Sequence, residues 1–285
     1  KAPDPTGYDL LGVIVGSGGG SVEFTEEQYR LYHSGNWRQC SVYVVPSSTM
    51  GTLASEISMK FGLRGASHVI TTGCTSSTDA LGYAFQTIRA GGGIDTIVAG
   101  GVDAPIAPLI MRGFMAMRIM SQSWNDEPER ASRPFSRDRG GFVIAEGAWF
   151  FVLEEREKAL ARGATILGEI AGYGSTCEAY HRVRLEECGE EPARAISLAL
   201  EQAEVAPDAV NYLSYHGTAT ELNDRIETRA VKLAFGKHAY KLPGSSLKSL
   251  IGHPQGACGA AGVAATLMAM RDGVLPPTAN VDVPD

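Results

Sequence analysis

The sequence lacks the features that mark several classes of protein. None of its apolar runs approaches the roughly 20 residues that a membrane-spanning helix needs. It has five cysteines, an odd number, and no CxxC pair, which favours a reducing, cytoplasmic setting over a disulfide scaffold. With 25 basic against 32 acidic residues, the net charge of −7 argues against nucleic acid or an anionic membrane as the main partner.

Several nucleotide-binding and catalytic motifs are absent as well. The sequence contains no G-x-x-x-x-G-K-[ST] phosphate loop and no G-x-S-x-G nucleophile elbow. The glycine-rich stretch 16–20 follows a predicted strand, but Ser21 stands where a dinucleotide-binding fingerprint requires its third glycine. We therefore interpret this stretch as a tight turn. The histidines are not spaced with the cysteines as zinc ligands are, so we expect no metal site.

Short apolar segments alternate with helical patterns, which predicts an α/β fold for the 285 residues. The predicted strands are residues 10–15, 69–72, 95–100, 166–173, 210–215 and 244–247. The predicted helices are residues 52–61, 77–89, 108–120, 154–162, 191–203, 224–235 and 256–271. We divide the chain near Gly163 into an N-terminal half, residues 1–163, and a C-terminal half, residues 164–285.

Cys74 lies where a predicted strand turns into a predicted helix. Backbone N–H groups at a helix start are unpaired and the helix dipole is positive there, so this position stabilises a thiolate. A thiol with a lowered pKa is what a nucleophilic cysteine needs. A buried cysteine that only packs as a small apolar side chain explains the segment equally well.

Two histidines follow predicted strands in similar settings. His216 comes directly after the strand at 210–215, and His253 precedes a helix rich in glycine and alanine. A single histidine at a strand end is more often a packing residue than a catalyst. Since ligand sites of open α/β sheets lie at the carboxyl ends of strands, we expect Cys74, His216 and His253 to converge there.

The residues around these positions resemble the β-ketoacyl-acyl-carrier-protein synthases, the elongating condensing enzymes of fatty acid and polyketide synthesis. The separation of 37 residues between His216 and His253, with Lys248 five residues before the second, is also similar to that family. The matching blocks are Thr72-Gly-Cys-Thr-Ser-Ser77, Val98-Ala-Gly-Gly-Val-Asp-Ala104, Ala131-Ser-Arg-Pro-Phe135, Gly140-Gly-Phe-Val-Ile-Ala-Glu-Gly147, His216-Gly-Thr-Ala-Thr-Glu-Leu-Asn-Asp224, Ser246-Leu-Lys-Ser-Leu-Ile-Gly-His253 and Leu275-Pro-Pro-Thr278.

The resemblance implies a thiolase-like fold of two similar α/β halves in a layered α-β-α-β-α arrangement. It implies decarboxylative Claisen condensation with no cofactor, on substrates carried by the phosphopantetheine of an acyl carrier protein. The expected assembly is a homodimer, or a heterodimer with a ketosynthase-like subunit.

The same resemblance implies a role for each candidate residue. Cys74 would accept the acyl group, and its backbone N–H would supply one oxyanion donor. His216 and His253 would donate hydrogen bonds to the malonyl thioester oxygen, and Lys248 would position and tune them. Thr218 and Thr220 resemble the threonines that bind the pantetheine arm, although a simple turn also explains them.

Other functions stay open at this point. A non-catalytic partner subunit fits less well, since such subunits lack the nucleophilic cysteine. A thiolase-like acyl-CoA acyltransferase also fits less well, since thiolases have a second catalytic cysteine late in the chain. Gly262 stands where members of the fatty acid type carry glutamate, and this part of the chain looks more like polyketide ketosynthases. The pathway is therefore left open.

Two further expectations concern the ends of the chain and its surface. Compared with the family the chain looks truncated at both ends, and Lys1 leaves open a processed start. A loop Gly-Phe-Gly-Gly, expected near the family's C-terminus, would supply the second oxyanion donor. Met111, Phe114, Met115 and Met117 lie at helical spacing, and we expect them to belong to the core, with the lining of an acyl tunnel as the alternative. Six arginines between positions 112 and 139 are candidates for docking an acidic carrier protein, with ordinary ion pairing as the alternative, above all for Arg133 and Arg139.

Overall fold

Three parallel strands and one antiparallel strand form a four-stranded sheet in the computed structural model, which describes residues 10–285. The strand order is β2-β1-β3-β4. These strands are β1 (Gly12–Gly16), β2 (Ser67–Ile70), β3 (Thr96–Asp103) and β4 (Gly147–Glu154). A short parallel pair, β5 (Leu213–Ser214) and β6 (Gly244–Ser245), forms a second sheet. The start of the chain at Lys1 and the first nine residues of the predicted N-terminal half lie outside the described residues.

The helices match most of the predicted helical patterns. They are α1 (Val22–His33), α2 (Val44–Ser48), α3 (Thr52–Phe61), α4 (Ser76–Ala90), α5 (Pro108–Ala116), α6 (Arg156–Ala161), α7 (Glu190–Ala203), α8 (Glu221–Phe235), α9 (Lys248–Ile251) and α10 (Cys258–Asp272). The pattern at residues 52–61 predicted α3 with both ends correct. The sequence reasoning missed α1, α2 and the short α9.

The chain divides into two units whose segments interleave along the sequence. The first unit holds the residues up to Ala116 together with Ile144–Leu167 and Pro254–Ala261. The second holds Met117–Val143, Gly168–His253 and Gly262–Asp285. The division of the chain near Gly163 stays a prediction.

In the first unit, β1 is buried at every residue, as expected for the central strand of a parallel sheet. Gly16 of β1 and Gly101 of β3 are paired across the sheet, and both lie against the start of α4. A Cβ atom added at Gly16 would lie 2.3 Å from the carbonyl carbon of Ser76, and one added at Gly101 would lie 2.5 Å from the Cβ of Ser77. The glycines therefore allow the helix that follows Cys74 to begin directly on the strands.

The second unit has its core beneath α7 and α8. Val231, Phe235 and Leu242 are buried together there, with Ile196 and Leu200 of α7 packed against them. In the parallel pair, β5 leads to His216 and β6 leads toward Lys248. Since parallel strands end at the same edge of a sheet, this small sheet places both side chains on one side.

The predicted strand at residues 166–173 is wrong, since the structure assigns no strand there. The chain instead runs along the backbone of α7, where a Cβ atom added at Gly172 would lie 2.1 Å from the carbonyl oxygen of Ala199. The N–H of Tyr173 donates to the side chain of Gln202 at 2.8 Å. Contact with a helix therefore takes the place of strand pairing.

The prediction that Met111, Phe114, Met115 and Met117 belong to the core is also wrong, since the first two are half-buried and the last two are exposed. Helix α5 has no buried residue, and Leu109 and Met115 are exposed. The helix ends at Ala116, and Arg118 has a left-handed backbone with φ of 57°. Apolar spacing identifies the apolar side of a helix, but it does not show what covers that side.

Within residues 10–285, none of the helices combines the length and apolar character needed to cross a membrane.

Candidate active site

Cys74 lies in a single helical turn between β2 and α4. The turn spans Gly73–Thr75, and Gly73 has a left-handed backbone with φ of 66° that reverses the chain direction. The hydroxyl of Ser76 donates to the carbonyl of Gly73 at 2.6 Å and accepts the N–H of Thr72 at 3.0 Å. The predicted position of Cys74, between a strand and the start of a helix, is confirmed.

The segment after His253 packs against Cys74 within the first unit. The thiol of Cys74 lies 3.9 Å from Oε1 of Gln255. The thiol of Cys258 donates to the carbonyl oxygen of Cys74 at 3.1 Å. Both bonds involve weak sulfur donors, so they orient the cysteine more than they stabilise the fold.

Asp103 connects this segment to the glycine-rich turn, and the sequence reasoning gave it no role. Its buried carboxylate accepts the hydroxyl of Ser17 at 2.7 Å and the N–H groups of Gly18 at 2.8 Å, Gly19 at 3.0 Å and Gly256 at 2.6 Å. The interpretation of residues 16–20 as a tight turn is therefore confirmed. The only sequence signal for Asp103 was its place in one of the family-like blocks, three residues after a predicted strand.

In the second unit, His216 and Lys248 lie against each other. Nζ of Lys248 donates to the carbonyl oxygen of His216 at 2.7 Å and lies 3.4 Å from its Nδ1. Lys248 is 6% exposed, and its own carbonyl accepts the hydroxyl of Ser132 at 2.5 Å. The alternative of an exposed loop lysine is wrong, whereas the predicted role of Lys248 in positioning and tuning the two histidines stays a prediction.

His253 completes this cluster. Its ring lies edge-on to that of His216, with ring centroids 5.4 Å apart and an angle of 88° between the planes. Phe142 contacts the same imidazole at 5.2 Å, and the N–H of His253 donates to the carbonyl of Val143 at 2.7 Å. His253 is only 2% exposed, so its surroundings hold the ring in one position.

Both histidines are neutral at physiological pH. Burial, followed by the positive charge of Lys248 and the other histidine, lowers the pKa of His216 well below its ordinary value of 6.5. Burial and Lys248 lower the pKa of His253 to about 3. A neutral imidazole has one N–H donor and one acceptor nitrogen, so each ring is able to donate one hydrogen bond.

Glu227 fixes the backbone on the other side of His216, and it was not singled out from the sequence. Its carboxylate accepts the N–H groups of His216 at 2.5 Å and Gly217 at 2.7 Å. Burial raises its pKa despite these bonds and the nearby charge of Lys248. Its position on the helix after the His-Gly-Thr stretch gave no local signal of this contact.

Thr218 and Thr220 lie together at the start of α8. Their hydroxyl groups are 2.9 Å apart, and Thr218 is buried. Ala219 between them has a φ of 66° and donates its N–H to Asp224 at 3.2 Å. The turn predicted for these residues is therefore present, and binding of a pantetheine arm stays a prediction.

The arginine cluster separates into buried and exposed members. Arg133 is fully buried, contacts Asp138 at 2.9 Å and Asp282 at 2.7 Å, and stacks on Trp124. Arg139 pairs with the buried Asp224 at 3.6 Å and with Asp285. Ion pairing is thus confirmed for these two, and neither is available to dock a partner. Arg130 is also paired, whereas the remaining three are exposed: Arg112, Arg118 and Arg137.

The predicted site residues thus fall into two groups. The second unit brings together His216, His253 and Lys248, with the two threonines on the turn after His216. The first unit holds Cys74. The expected convergence of Cys74 with the histidines stays a prediction.

This arrangement agrees with the comparison to protein families. Residues 2–159 match the model of the beta-ketoacyl synthase N-terminal domain, and residues 167–282 match that of the C-terminal domain. The chain therefore belongs to the beta-ketoacyl synthase family, and its fold is the thiolase-like α/β fold of ketosynthases.

Individual relatives come from both polyketide and fatty acid systems. The chain is 45% identical over 287 positions to a protein from Streptomyces virginiae named as a polyketide beta-ketoacyl synthase 1, covering 96% of this chain and 66% of the relative. It is 39% identical over 277 positions to the 3-oxoacyl-[acyl-carrier-protein] synthase 2 of Synechocystis, covering 97% and 66%. The chain thus spans slightly less than two thirds of the length of these curated relatives.

A solved structure with a similar fold is that of a type II polyketide-synthase acyl carrier protein in complex with its ketosynthase bound to the hexaketide. Its TM-score is 0.91 and its sequence identity 33%, over 99% of this chain and 70% of that chain.

Proposed function

We propose that this chain carries the reacting residues of a β-ketoacyl synthase, an acyltransferase that joins an acyl group and a malonyl group by decarboxylative Claisen condensation. The observation that carries the proposal is the pair of neutral histidines, the half-buried His216 beside Lys248 and the buried His253 edge-on to it. Family membership and the position of Cys74 before α4 support it.

In the first half-reaction, Cys74 accepts the acyl group. Its sulfur attacks the carbonyl carbon of an acyl thioester, a new carbon–sulfur bond forms, and the bond to the pantetheine sulfur breaks. The proton lost by the Cys74 thiol balances the one gained by the departing pantetheine thiol. The helix start at α4 favours the negative charge that develops during this exchange.

In the second half-reaction, a malonyl thioester loses carbon dioxide. The electrons of the broken carbon–carbon bond move to the thioester oxygen and form an enolate, which then attacks the acyl carbon on Cys74 and releases the thiolate. Two neutral imidazoles that donate to this oxygen stabilise the charge at the moment it develops. Their lowered pKa values keep them neutral, which suits donors that release no proton in the reaction.

The partner that best suits this chemistry is an acyl carrier protein. The solved complex of a related ketosynthase with its carrier protein supports this choice. Arg112, Arg118 and Arg137 are exposed and offer positive charge to an acidic carrier protein. No cofactor is needed in this proposal, because the thioesters supply both reacting groups.

We further propose that the chain functions as a dimer in the cytoplasm. Strand β2 is the edge of the larger sheet in the described part of the chain, and Ser67 and His68 on it are exposed. Such an edge is able to pair with a second chain, either an identical copy or a ketosynthase-like subunit. The five free cysteines support a reducing compartment.

Mass spectrometry of the intact protein tests the proposed first step. We expect incubation with an acyl carrier protein thioester, or with a cerulenin-type epoxide, to add one adduct that peptide mapping places on Cys74. The adduct should be lost in Cys74→Ala and retained in Cys177→Ala, because Cys177 is exposed and lies outside the site. If a folded, dimeric sample forms no adduct on Cys74, the proposal that the chain is a condensing enzyme is wrong. The alternative of a non-catalytic partner subunit is then favoured. Equal acylation by free acyl-CoA, with no preference for the carrier protein, would favour the thiolase-like alternative.

A further inference from the structure

Gln255 has three properties that set it apart in the first unit. It is 8% exposed, its Oε1 lies 3.9 Å from the sulfur of Cys74, and its Nε2 is buried with no hydrogen-bond partner among the described residues. A buried amide without a partner costs free energy, so such groups are found mainly where a ligand or a water satisfies them.

The backbone of Gln255 is also strained. Its φ of 44° lies in the left-handed region, which residues other than glycine, asparagine and aspartate rarely adopt. Strain of this kind persists only where the surroundings hold it, and it is concentrated at functional sites.

The neighbours of Gln255 hold it in this conformation. The N–H of Gly256 donates to the buried Asp103 at 2.6 Å, and the thiol of Cys258 donates to the carbonyl of Cys74 at 3.1 Å. The N–H of Ala260 donates to Ser77 at 3.0 Å. Three contacts within five residues therefore fix the backbone after Gln255, one to the end of β3 and two to the turn and helix around Cys74.

The chemistry of the amide indicates what it recognises. Nε2 is bonded to the same carbon as Oε1, so it lies within a few bond lengths of the Cys74 sulfur and has two N–H groups to donate. Oxygen atoms of a group bound to that sulfur are the acceptors within its reach. The backbone N–H of Cys74 is the expected donor to the thioester carbonyl oxygen, so the acceptor left for the amide is an oxygen further along the acyl group, at carbon 3.

We propose that Gln255 is a specificity-determining residue whose side-chain amide donates a hydrogen bond to an oxygen on carbon 3 of the acyl group held by Cys74. The site then favours 3-oxoacyl and 3-hydroxyacyl groups over saturated ones, since a saturated chain leaves the amide unpaired. The proposal rests on the proposed function, because it needs an acyl group on Cys74.

Acylation rates of Cys74 with three small thioesters test this inference. The probes are the N-acetylcysteamine thioesters of acetoacetate, 3-hydroxybutyrate and butyrate, and intact-protein mass spectrometry follows each adduct. In the wild type we expect at least one oxygenated probe to react about tenfold faster than butyryl. In Gln255→Met, which keeps the length of the side chain and removes both donors, that ratio should fall to about one. Cys177→Ala is the control that keeps the wild-type ratio.

The ratio of acylation rates between an oxygenated probe and the butyryl probe shows whether Gln255 recognises the acyl group or only supports the structure. If Gln255→Met loses only the preference for the acetoacetyl probe, the amide binds the 3-oxo group. If it loses the preference for both oxygenated probes, the amide binds a 3-oxo or a 3-hydroxyl group. Equal slowing of all three probes in Gln255→Met, or an unchanged ratio, overturns the inference. A wild type without preference overturns it as well. A wild type that no probe acylates on Cys74 refutes the proposed function itself, which is a different result.

Discussion

Cys74 in the first unit is held by backbone groups and uncharged side chains, whereas His216 and His253 in the second unit lie among buried charges. The turn around Cys74 is fixed by contacts to Ser76, Gln255 and Cys258. His216 is fixed by Lys248 on one side and Glu227 on the other, and the N–H of His253 donates to the carbonyl of Val143. The difference suits the two tasks of the proposed reaction: a nucleophile must remain able to gain and lose a proton, whereas a donor to an enolate must keep its proton.

The two units also differ in how a buried charged residue, Asp103 or Lys248, is connected to the candidate site residues. In the first unit, the carboxylate of Asp103 accepts four hydrogen bonds from two separate segments, residues 17–19 and Gly256. In the second unit, Lys248 is part of the histidine cluster itself. We therefore expect the loss of Asp103 to affect stability first, and the loss of Lys248 to affect catalysis first.

The largest expected effect on stability follows from Asp103→Ala. Four donors then lose a buried, charged acceptor, which should lower the free energy of unfolding by about 3–5 kcal/mol. Chemical denaturation measures this, with the exposed Asp126→Ala as the matched control. A loss below about 1 kcal/mol would show that the carboxylate does not join the two segments.

Lys248→Met should slow malonyl decarboxylation by about 100-fold, because it removes the bond that fixes His216. Removing the positive charge also raises the pKa values of both histidines, so the acid limb of the pH–rate profile should move to higher pH. Lys248→Arg keeps the charge and should retain the wild-type acid limb. If Lys248→Met slows the reaction with no movement of that limb, its role is structural rather than electrostatic.

The buried histidines should make the protein less stable as the pH falls. The unfolded chain takes up protons near pH 6.5, whereas folded His253 does so only near pH 3, so the stabilisation is complete above pH 6.5 and is lost as the pH falls toward 3. Between pH 7 and pH 5, His253 should account for a loss of about 2 kcal/mol in the free energy of unfolding. His253→Asn should remove that part of the pH dependence, and the exposed His33→Asn should not. The same slope in both variants would contradict the burial of His253.

The smallest expected effects concern the exposed arginines. Arg112→Glu, Arg118→Glu and Arg137→Glu should each raise the KM for an acyl carrier protein a few-fold at low salt, with kcat retained. Arg182→Glu is an exposed control. If all four variants behave alike, these three arginines are not the docking surface.

The comparison also shows which features could be predicted from the sequence. Cys74, His216 and Lys248 each lie at or just beyond a strand end, and local apolar patterns were enough to locate those ends. Asp103 and Glu227 could not be assigned roles, because their partners follow from how distant segments pack. Asp103 accepts from Gly256, which is 153 residues away in the sequence.

The errors have a related cause. Residues 166–173 carry a strand-like pattern, but Gly172 and Tyr173 contact α7 instead of pairing with a strand, so tertiary packing rather than local preference decided their structure. Gln255 gave no signal at all, because its left-handed backbone and buried amide are visible only in three dimensions.

The central claim is that Cys74 and the histidine pair perform different steps on one pair of thioesters. A single-turnover experiment tests it most directly, with protein acylated on Cys74 and a malonyl thioester labelled in its carboxylate. We expect His216→Ala and His253→Ala to become acylated within a few-fold of the wild-type rate but to release labelled carbon dioxide about 100-fold more slowly or worse. Release at the wild-type rate in both variants, or an equal loss of acylation and decarboxylation, would contradict the account.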